Sequence, residues 1–433
     1  MITLLQCNFA KCTGKLKICL TKRVFYSLLM SNVTAIILAA GYSSRMGNFK
    51  PLMCLGKETV LKRVIRLFQS TGIEDIRAVL GHRYSDVLPL LKPLGIRPII
   101  NEHYENGMFS SIVAGIKSLE PDRDAFFILP VDIPLVRRQT ILDLLKAYRK
   151  KVESGKWKAE SGNSASGDRS DFHILYPNFQ GTRGHPPLIA YAFAEKILRW
   201  NGEGGLRTFL EQYEKYAEDV DVADEYILLD LDTPRDYQIL LDRYERYEIP
   251  TVRECMTLMR KTFAVEKPIL DHCQKVARVA LRLGRELITA GHQIDLELVA
   301  AASLLHDLAR KESDHAARGA QTLNEMGFPA VAEIVGSHID IRISDEEPIS
   351  AREIVYLADK LVQGDQIVLM EKRFREKMEH YANVPKASAA IELRFANAFK
   401  IKQRLETIVG KPHNLILAEP SERNENDIFA EAW

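Results

Sequence analysis

The stretch Ile36-Ile37-Leu38-Ala39-Ala40-Gly41-Tyr42-Ser43-Ser44-Arg45-Met46-Gly47, with Lys50 just beyond it, decides how the first half of this chain folds. The apolar run 33–38 reads as a strand buried on both faces, as in a parallel sheet. It feeds directly into a loop of small residues. Such a loop lets backbone N–H groups approach a phosphate closely, and Arg45 and Lys50 add positive charge beside it. Gly41 and Gly47 lack the G-x-G-x-x-G spacing of a dinucleotide fold, and no Gly-Lys-Ser/Thr follows as in a P-loop.

Outward from this loop, short apolar runs alternate with amphipathic helical patterns as far as about Tyr247. Segments 33–38, 76–80, 97–100, 124–132, 173–177 and 226–232 read as strands. Segments 60–69, 110–119 and 140–151 read as helices. The alternation predicts an α/β domain with a Rossmann-like, mostly parallel sheet and helices on both faces. Two of the strand runs end in carboxylates, Asp132 and Asp232. In open α/β sheets ligands bind beyond the carboxyl ends of the strands, so these two are expected to converge. Together they would hold one Mg²⁺ and leave room for phosphate oxygens and water. The polar, Gly/Ser-rich segment 156–170 reads as a surface loop.

Thr233 suits an N-cap and Pro234 a first helical position, so a last helix closes this domain. Around Pro250 the character changes. Thr251 with Glu254, and Ser350 with Glu353, are capping-box pairs, and helical periodicity runs on to about Val409. An all-α second domain is therefore expected. The boundaries read as 31–248 and 251–410, with a disordered or spurious extension at 1–30 and a flexible tail at 411–433. A length of 433 residues suits two domains. A net charge of +1 argues against bulk attraction to nucleic acid or acidic membranes. No apolar run is long enough to span a bilayer. Cys7, Cys12, Cys19, Cys54, Cys255 and Cys273 form no C-x-x-C pair, and no signal peptide is evident. A reducing cytoplasmic setting without disulfides is the expectation.

The helical domain carries His272, His306-Asp307, His315, His338 and Asp359. His306-Asp307 follows the apolar run 300–305, and Asp359 sits inside the apolar run 354–362. A carboxylate in such surroundings is costly unless it is paired or bound to a metal. Imidazoles with carboxylates suit a first-row transition metal.

With its L-A-A-G-x-S-x-R-M-G-x-x-K string, the first domain resembles the MobA-like nucleotidyltransferases, which attach a nucleotide to a phosphorylated acceptor. The likeness extends to Gly81-His82-Arg83, Asn101, Gly107-Met108-Phe109-Ser110-Ser111, Gly184-His185-Pro186 and Asp230-Leu231-Asp232-Thr233-Pro234. It implies that Leu38, Ala39, Ala40, Gly41, Ser43, Arg45, Gly47, Lys50, Gly81, Asn101, Ser111 and His185 bind the ligands. It also implies that Arg45, Lys50 and Asp132 are catalytic, with Mg²⁺ on Asp132 and Asp232. The Gly-Met-x-x-Ser and Gly-His-Pro elements resemble most the branch acting on the molybdenum–pterin cofactor, and Ala39-Ala40 leans toward CTP over GTP. A terminal phosphate on the pterin would attack the α-phosphorus of CTP, and pyrophosphate would leave. Residues 202–207 depart from the acidic version usual in the family, which bears on the acceptor pocket. GTP, a sugar or alditol phosphate acceptor, and cofactor delivery to a molybdenum hydroxylase beside a regulatory HD domain remain open.

The order His … His-Asp … Asp in the second domain is similar to the HD phosphohydrolases. That resemblance implies a primary metal site of His272, His306, Asp307 and Asp359, with His306 and Asp307 catalytic. His315 and His338 resemble the extra ligands of two-metal members, although a role as core histidines stays open for both. One or two divalent transition metals would serve hydrolysis of a phosphate ester or anhydride; the substrate stays open.

Overall fold

The computed structural model describes residues 32–153, 173–344 and 346–418. The segments expected to be an N-terminal extension and a 156–170 loop, and the tail beyond 418, lie outside the described residues. The chain divides into two compact units, Met1–Tyr244 and Glu245–Trp433.

The first unit is built on an eight-stranded mixed sheet. Its main strands are β1 (Val33–Ala39), β2 (Asp75–Leu80), β3 (Arg97–Ile100), β4 (Ala125–Pro130), β5 (Ile174–Phe179), β6 (Leu188–Ala190) and β7 (Ala217–Asp221). Their order is β7-β5-β6-β4-β1-β2-β3, and a short strand, Thr182–Arg183, pairs with β5. β1 lies between β2 and β4 and is parallel to both. Every residue of β1 is buried, as a central strand covered on both faces requires. Helices α1 (Val60–Ser70), α2 (Tyr84–Leu91), α3 (Met108–Lys117) and α4 (Arg138–Glu153) make the crossovers. The chain leaves β1 toward β2 on one side and returns at β4 on the other, so the loops after β1 and β4 open onto a topological switch point. The short helices α5 (Ala194–Leu198) and α6 (Gly205–Glu211) follow, and α7 (Pro234–Glu245) closes the unit.

One strand expectation fails. Residues 226–232 are not in the sheet: Glu225–Leu228 is a 3₁₀ turn, initiated by the Asp224 carboxylate accepting the Tyr226 N–H. The Leu231 N–H then donates to the Asp132 carbonyl at 2.8 Å, which lays this apolar segment against the loop after β4. The edge strand is β7 instead, and its partner β5 is joined to β4 through the antiparallel β6.

The second unit is helical. It comprises α8 (Val252–Thr257), α9 (Lys267–Thr289), α10 (Leu296–Leu305), α11 (His315–Met326), α12 (Pro329–Ser337), α13 (Ala351–Leu361), α14 (Met370–His380), α15 (Pro385–Val409) and α16 (His413–Ala418). Both capping boxes close as the sequence predicts, at Thr251 with Glu254 and at Ser350 with Glu353. Residues 413–418, read from sequence as tail, add a last helical turn. From Val299 to Leu305 α10 is buried on all sides, as a central helix must be, and it packs on α9, α12 and α13. A two-stranded hairpin, Val362–Gln363 with Gln366–Ile367, follows α13.

Candidate active sites

In the first unit the loop after β1 folds back on its neighbours. The Leu38 carbonyl accepts the Val131 N–H at 3.0 Å and the Ala40 carbonyl accepts the His82 N–H at 3.1 Å, which ties this loop to those after β4 and β2. Leu38, Ala39 and Ala40 are buried, so their side chains serve the core. The Ser43 hydroxyl accepts the Lys50 N–H at 3.1 Å. Gly47 has φ +73°, a conformation that suits glycine. At Gly81 a Cβ would lie 2.6 Å from Tyr104 and 2.9 Å from the Ala40 carbonyl, so a larger residue would force the two loops apart.

Four of the expected residues meet directly. The Lys50 ammonium lies 3.1 Å from Asp132 Oδ2 and 2.8 Å from Asp232 Oδ1, and the exposed Arg45 lies 3.0 Å from Asp232 Oδ2. Asp230 stands beside them; burial, with Asp132 and Asp232 adding repulsion, raises its pKa. Oxygen donors from two loops around one cationic position fit a hard divalent ion such as Mg²⁺. His185 is next to Asp132; burial pushes its imidazole down while the Asp132 charge resists. Its Nδ1 is buried without a hydrogen-bond partner. Asn101 and Ser111 form a separate set. The Asn101 amide donates to the Ser110 and Ser111 hydroxyls at 2.9 and 3.0 Å and accepts the His103 N–H, which orders the turn into α3.

Asp224 was not singled out by the sequence reading. Buried, it accepts from the Arg137 N–H at 2.7 Å, the Thr140 hydroxyl at 2.7 Å and the Tyr226 N–H at 3.1 Å. It thereby ties the segment after Asp132 to the segment leading to Asp232. No local motif marks such a residue, because its partners lie 87 and 84 positions away at Arg137 and Thr140.

In the second unit, α10 ends by presenting His306 and Asp307. The His306 Nε2 is 3.6 Å from Asp307 Oδ2 and 3.8 Å from Asp359 Oδ1. The His272 Nε2 is 3.2 Å from Asp359 Oδ1. On the other side of Asp307, Oδ1 lies 3.3 Å from the His315 Nε2 and 3.5 Å from the His338 Nε2. Two groups, His272-His306-Asp307 and Asp307-His315-His338, each bring their ligand atoms within 4.8 Å of one another. Asp307 belongs to both.

The outward nitrogens of three imidazoles are already used. The Nδ1 of His272, His306 and His338 bond the Gly364, Ser303 and Val335 carbonyls at 2.8, 2.8 and 2.6 Å. A carbonyl only accepts, so each Nδ1 carries the proton and each Nε2 lone pair faces the cluster. The Nε2 atoms of His306 and His338 are buried with no hydrogen-bond partner. That arrangement fits a divalent metal, which takes neutral imidazole and ionised carboxylate. Burial pushes His306 down to about 4 despite Asp307 and Asp359. For Asp307 burial works the other way, yet His306, His338 and Arg310 hold it below the carboxylate range. Asp359 is likewise held low against its burial, chiefly by Lys360 and His272. Lys360 bonds Asp359 Oδ2 at 2.6 Å and the His338 carbonyl at 2.9 Å. Two cations escaped the sequence reading: Arg310, three residues past Asp307, and Lys377, which burial and the nearby Arg373 and Lys360 lower to about 8.

The first unit thus gathers Lys50, Arg45, Asp132 and Asp232 at the switch point of an α/β sheet, and the second gathers His272, His306, His315 and His338 around Asp307 and Asp359 in a cluster whose donors fit a metal. The description "MobA-like NTP transferase domain" matches residues 35–217, and "HD domain" matches residues 269–363. The chain is 26% identical over 223 residues to the molybdenum cofactor cytidylyltransferase of Escherichia coli, covering 50% of this chain and 98% of that protein. It is 32% identical over 120 residues to the "Probable molybdenum cofactor guanylyltransferase" of Bacillus mycoides, 27% of this chain and 57% of that one. An uncharacterized protein of Methanocaldococcus jannaschii is 32% identical over 130 residues, 25% of this chain and 77% of that protein. The chain thus carries a MobA-like NTP transferase domain followed by an HD domain.

Proposed function

We propose that the first domain moves CMP from CTP to the molybdenum–pterin cofactor, releasing pyrophosphate. The observation that carries this reading is the convergence of Lys50, Arg45, Asp132 and Asp232 at the switch point. Mg²⁺ held by Asp132 and Asp232 would neutralise charge on the phosphates. Lys50, released from its carboxylates, and Arg45 would then bind the triphosphate, and the loop 40–47 would supply N–H donors. Phosphoryl chemistry asks for positioning and charge neutralisation rather than covalent catalysis, which this set of residues supplies. The match to the molybdenum cofactor cytidylyltransferase of Escherichia coli over nearly its whole length supports CTP rather than GTP as the nucleotide.

The HD domain, on the same footing, is a phosphohydrolase; metals held by its histidines and aspartates would supply an activated water and Lewis-acid polarisation of a phosphoryl oxygen. Arg310, Lys360, Arg373 and Lys377 around the cluster suit an anionic substrate. The residues holding the metals would be His272, His306, Asp307 and Asp359, with His315 and His338 serving a second ion.

Purified protein given molybdenum–pterin cofactor, Mg²⁺ and either CTP or GTP tests the transferase. Dinucleotide product with CTP, abolished in Asp132→Ala, is expected; product with GTP alone would reassign the nucleotide. Metal content measured on purified wild type and His306→Ala tests the HD centre. Equal content in the two would count against it.

A further inference from the structure

The two candidate metal positions of the HD centre differ in how the protein's own cations approach them. At the His272-His306-Asp307 position the nearest lysine, Lys360, bonds Asp359 Oδ2, whereas Asp359 Oδ1 faces His272 and His306. The Lys360 ammonium therefore stands behind the carboxylate. At the Asp307-His315-His338 position a protein cation stands in front. Arg310 Nη1 lies 3.1 Å from the His315 Nε2 and 3.5 Å from Asp307 Oδ1, the same two atoms that would bind a metal there. The His338 Nε2, buried and without a hydrogen-bond partner, completes that position.

A metal bound to these atoms would sit about 2.1 Å from each nitrogen and oxygen, too close to a guanidinium hydrogen-bonded to the same pair. Both are cations, and both need the single Nε2 lone pair of His315. Only one can hold it at a time. Arg310 can leave: it lies in the turn after α10, and its side chain is 53% exposed. Lys360 has no such freedom, being buried with two hydrogen bonds.

We propose that Arg310 is a built-in competitor for the second metal position, so that the two positions of the HD centre fill unequally. This rests on the metal-centre reading above. Ejected by the second ion, the guanidinium faces solvent beside the cluster, where an anionic substrate oxygen would hold it away. Substrate and second metal would thereby favour each other's binding.

The test is a Mn²⁺ titration of chelator-stripped, full-length protein carrying Asp132→Ala and Asp232→Ala, which takes the transferase carboxylates out of the count. The HD centre is either wild type or Arg310→Ala, and loading is followed by equilibrium dialysis and by the spin-coupled signal of a Mn²⁺ pair. With the HD centre wild type the first equivalent should bind well below the concentration that loads the second. Arg310→Ala should tighten the second equivalent about tenfold or more, as loss of an adjacent unit charge allows, and leave the first unchanged. Adding His315→Ala should abolish the second equivalent in both backgrounds. Equal second-site affinity with and without Arg310 would overturn the proposal while leaving the metal centre standing. No Mn²⁺ uptake by either protein would overturn both.

Discussion

Lys50 joins Asp132 and Asp232, two carboxylates that would otherwise repel, through contacts of 3.1 and 2.8 Å. Lys50→Ala should cut nucleotide transfer about 100-fold, the usual consequence of removing one charge-stabilising donor. The loss should appear with saturating Mg²⁺ too, because the metal cannot replace a group that binds the triphosphate; full rescue by Mg²⁺ would contradict it. His306 makes a pH prediction. Its native pKa of about 4 lies below the ordinary 6.5, so the folded chain keeps it neutral where the unfolded chain takes a proton. Metal-stripped protein should therefore lose stability as pH falls from 6.5 toward 4, with the full contribution present above that window. The denaturant midpoint of the HD unit should drop between about pH 7 and about pH 4.5, and less so in His306→Gln. A midpoint independent of pH would contradict the burial argument.

At the scale of elements, α3 lies so close to the sheet that a Cβ at Gly115 would meet Ile36 Cγ2 at 2.6 Å and Val79 Cγ2 at 3.2 Å. Gly115→Ala should destabilise the first unit by about 1–3 kcal/mol through overpacking, read by chemical denaturation. It should also weaken substrate binding, since α3 begins at the turn that Asn101 orders. Asp224→Ala removes a buried acceptor from three donors and should cost about 3 kcal/mol. Because Asp224 links the segments carrying Asp132 and Asp232, the variant's residual transfer should need more Mg²⁺; an unaltered Mg²⁺ dependence would argue for a role in stability alone. The elements also show what the sequence pattern conceals. The run 226–232 has the composition of a strand, yet Asp224 turns its start into 3₁₀ and the Asp132 carbonyl takes its Leu231 N–H. Three-residue β6 was too short to register as a pattern, although it decides how β5 and β4 join.

At the scale of the whole molecule, each unit holds its own core and its own proposed metal chemistry, in oxygen donors for one and imidazole with carboxylate for the other. Chelation should silence both activities, and Mg²⁺ alone should restore nucleotide transfer but not phosphate hydrolysis; joint restoration by Mg²⁺ would show that the HD centre takes a harder ion than its histidines imply. Among the described residues no helix is long and apolar enough to cross a membrane. By itself the sequence determined the α/β-then-α order, the strand-loop of residues 33–50, the two capping boxes and the residue types gathered at both candidate sites. These are local: periodicity, caps and loop composition act over a few residues, and side-chain chemistry needs no partner to be read. Only the tertiary structure decided that Lys50 meets Asp232 across 182 positions, that Asp307 serves both halves of the histidine cluster, and that Arg310 stands in front of one half. Those relations depend on which elements lie side by side, and packing of the whole core sets that, not any single stretch of chain.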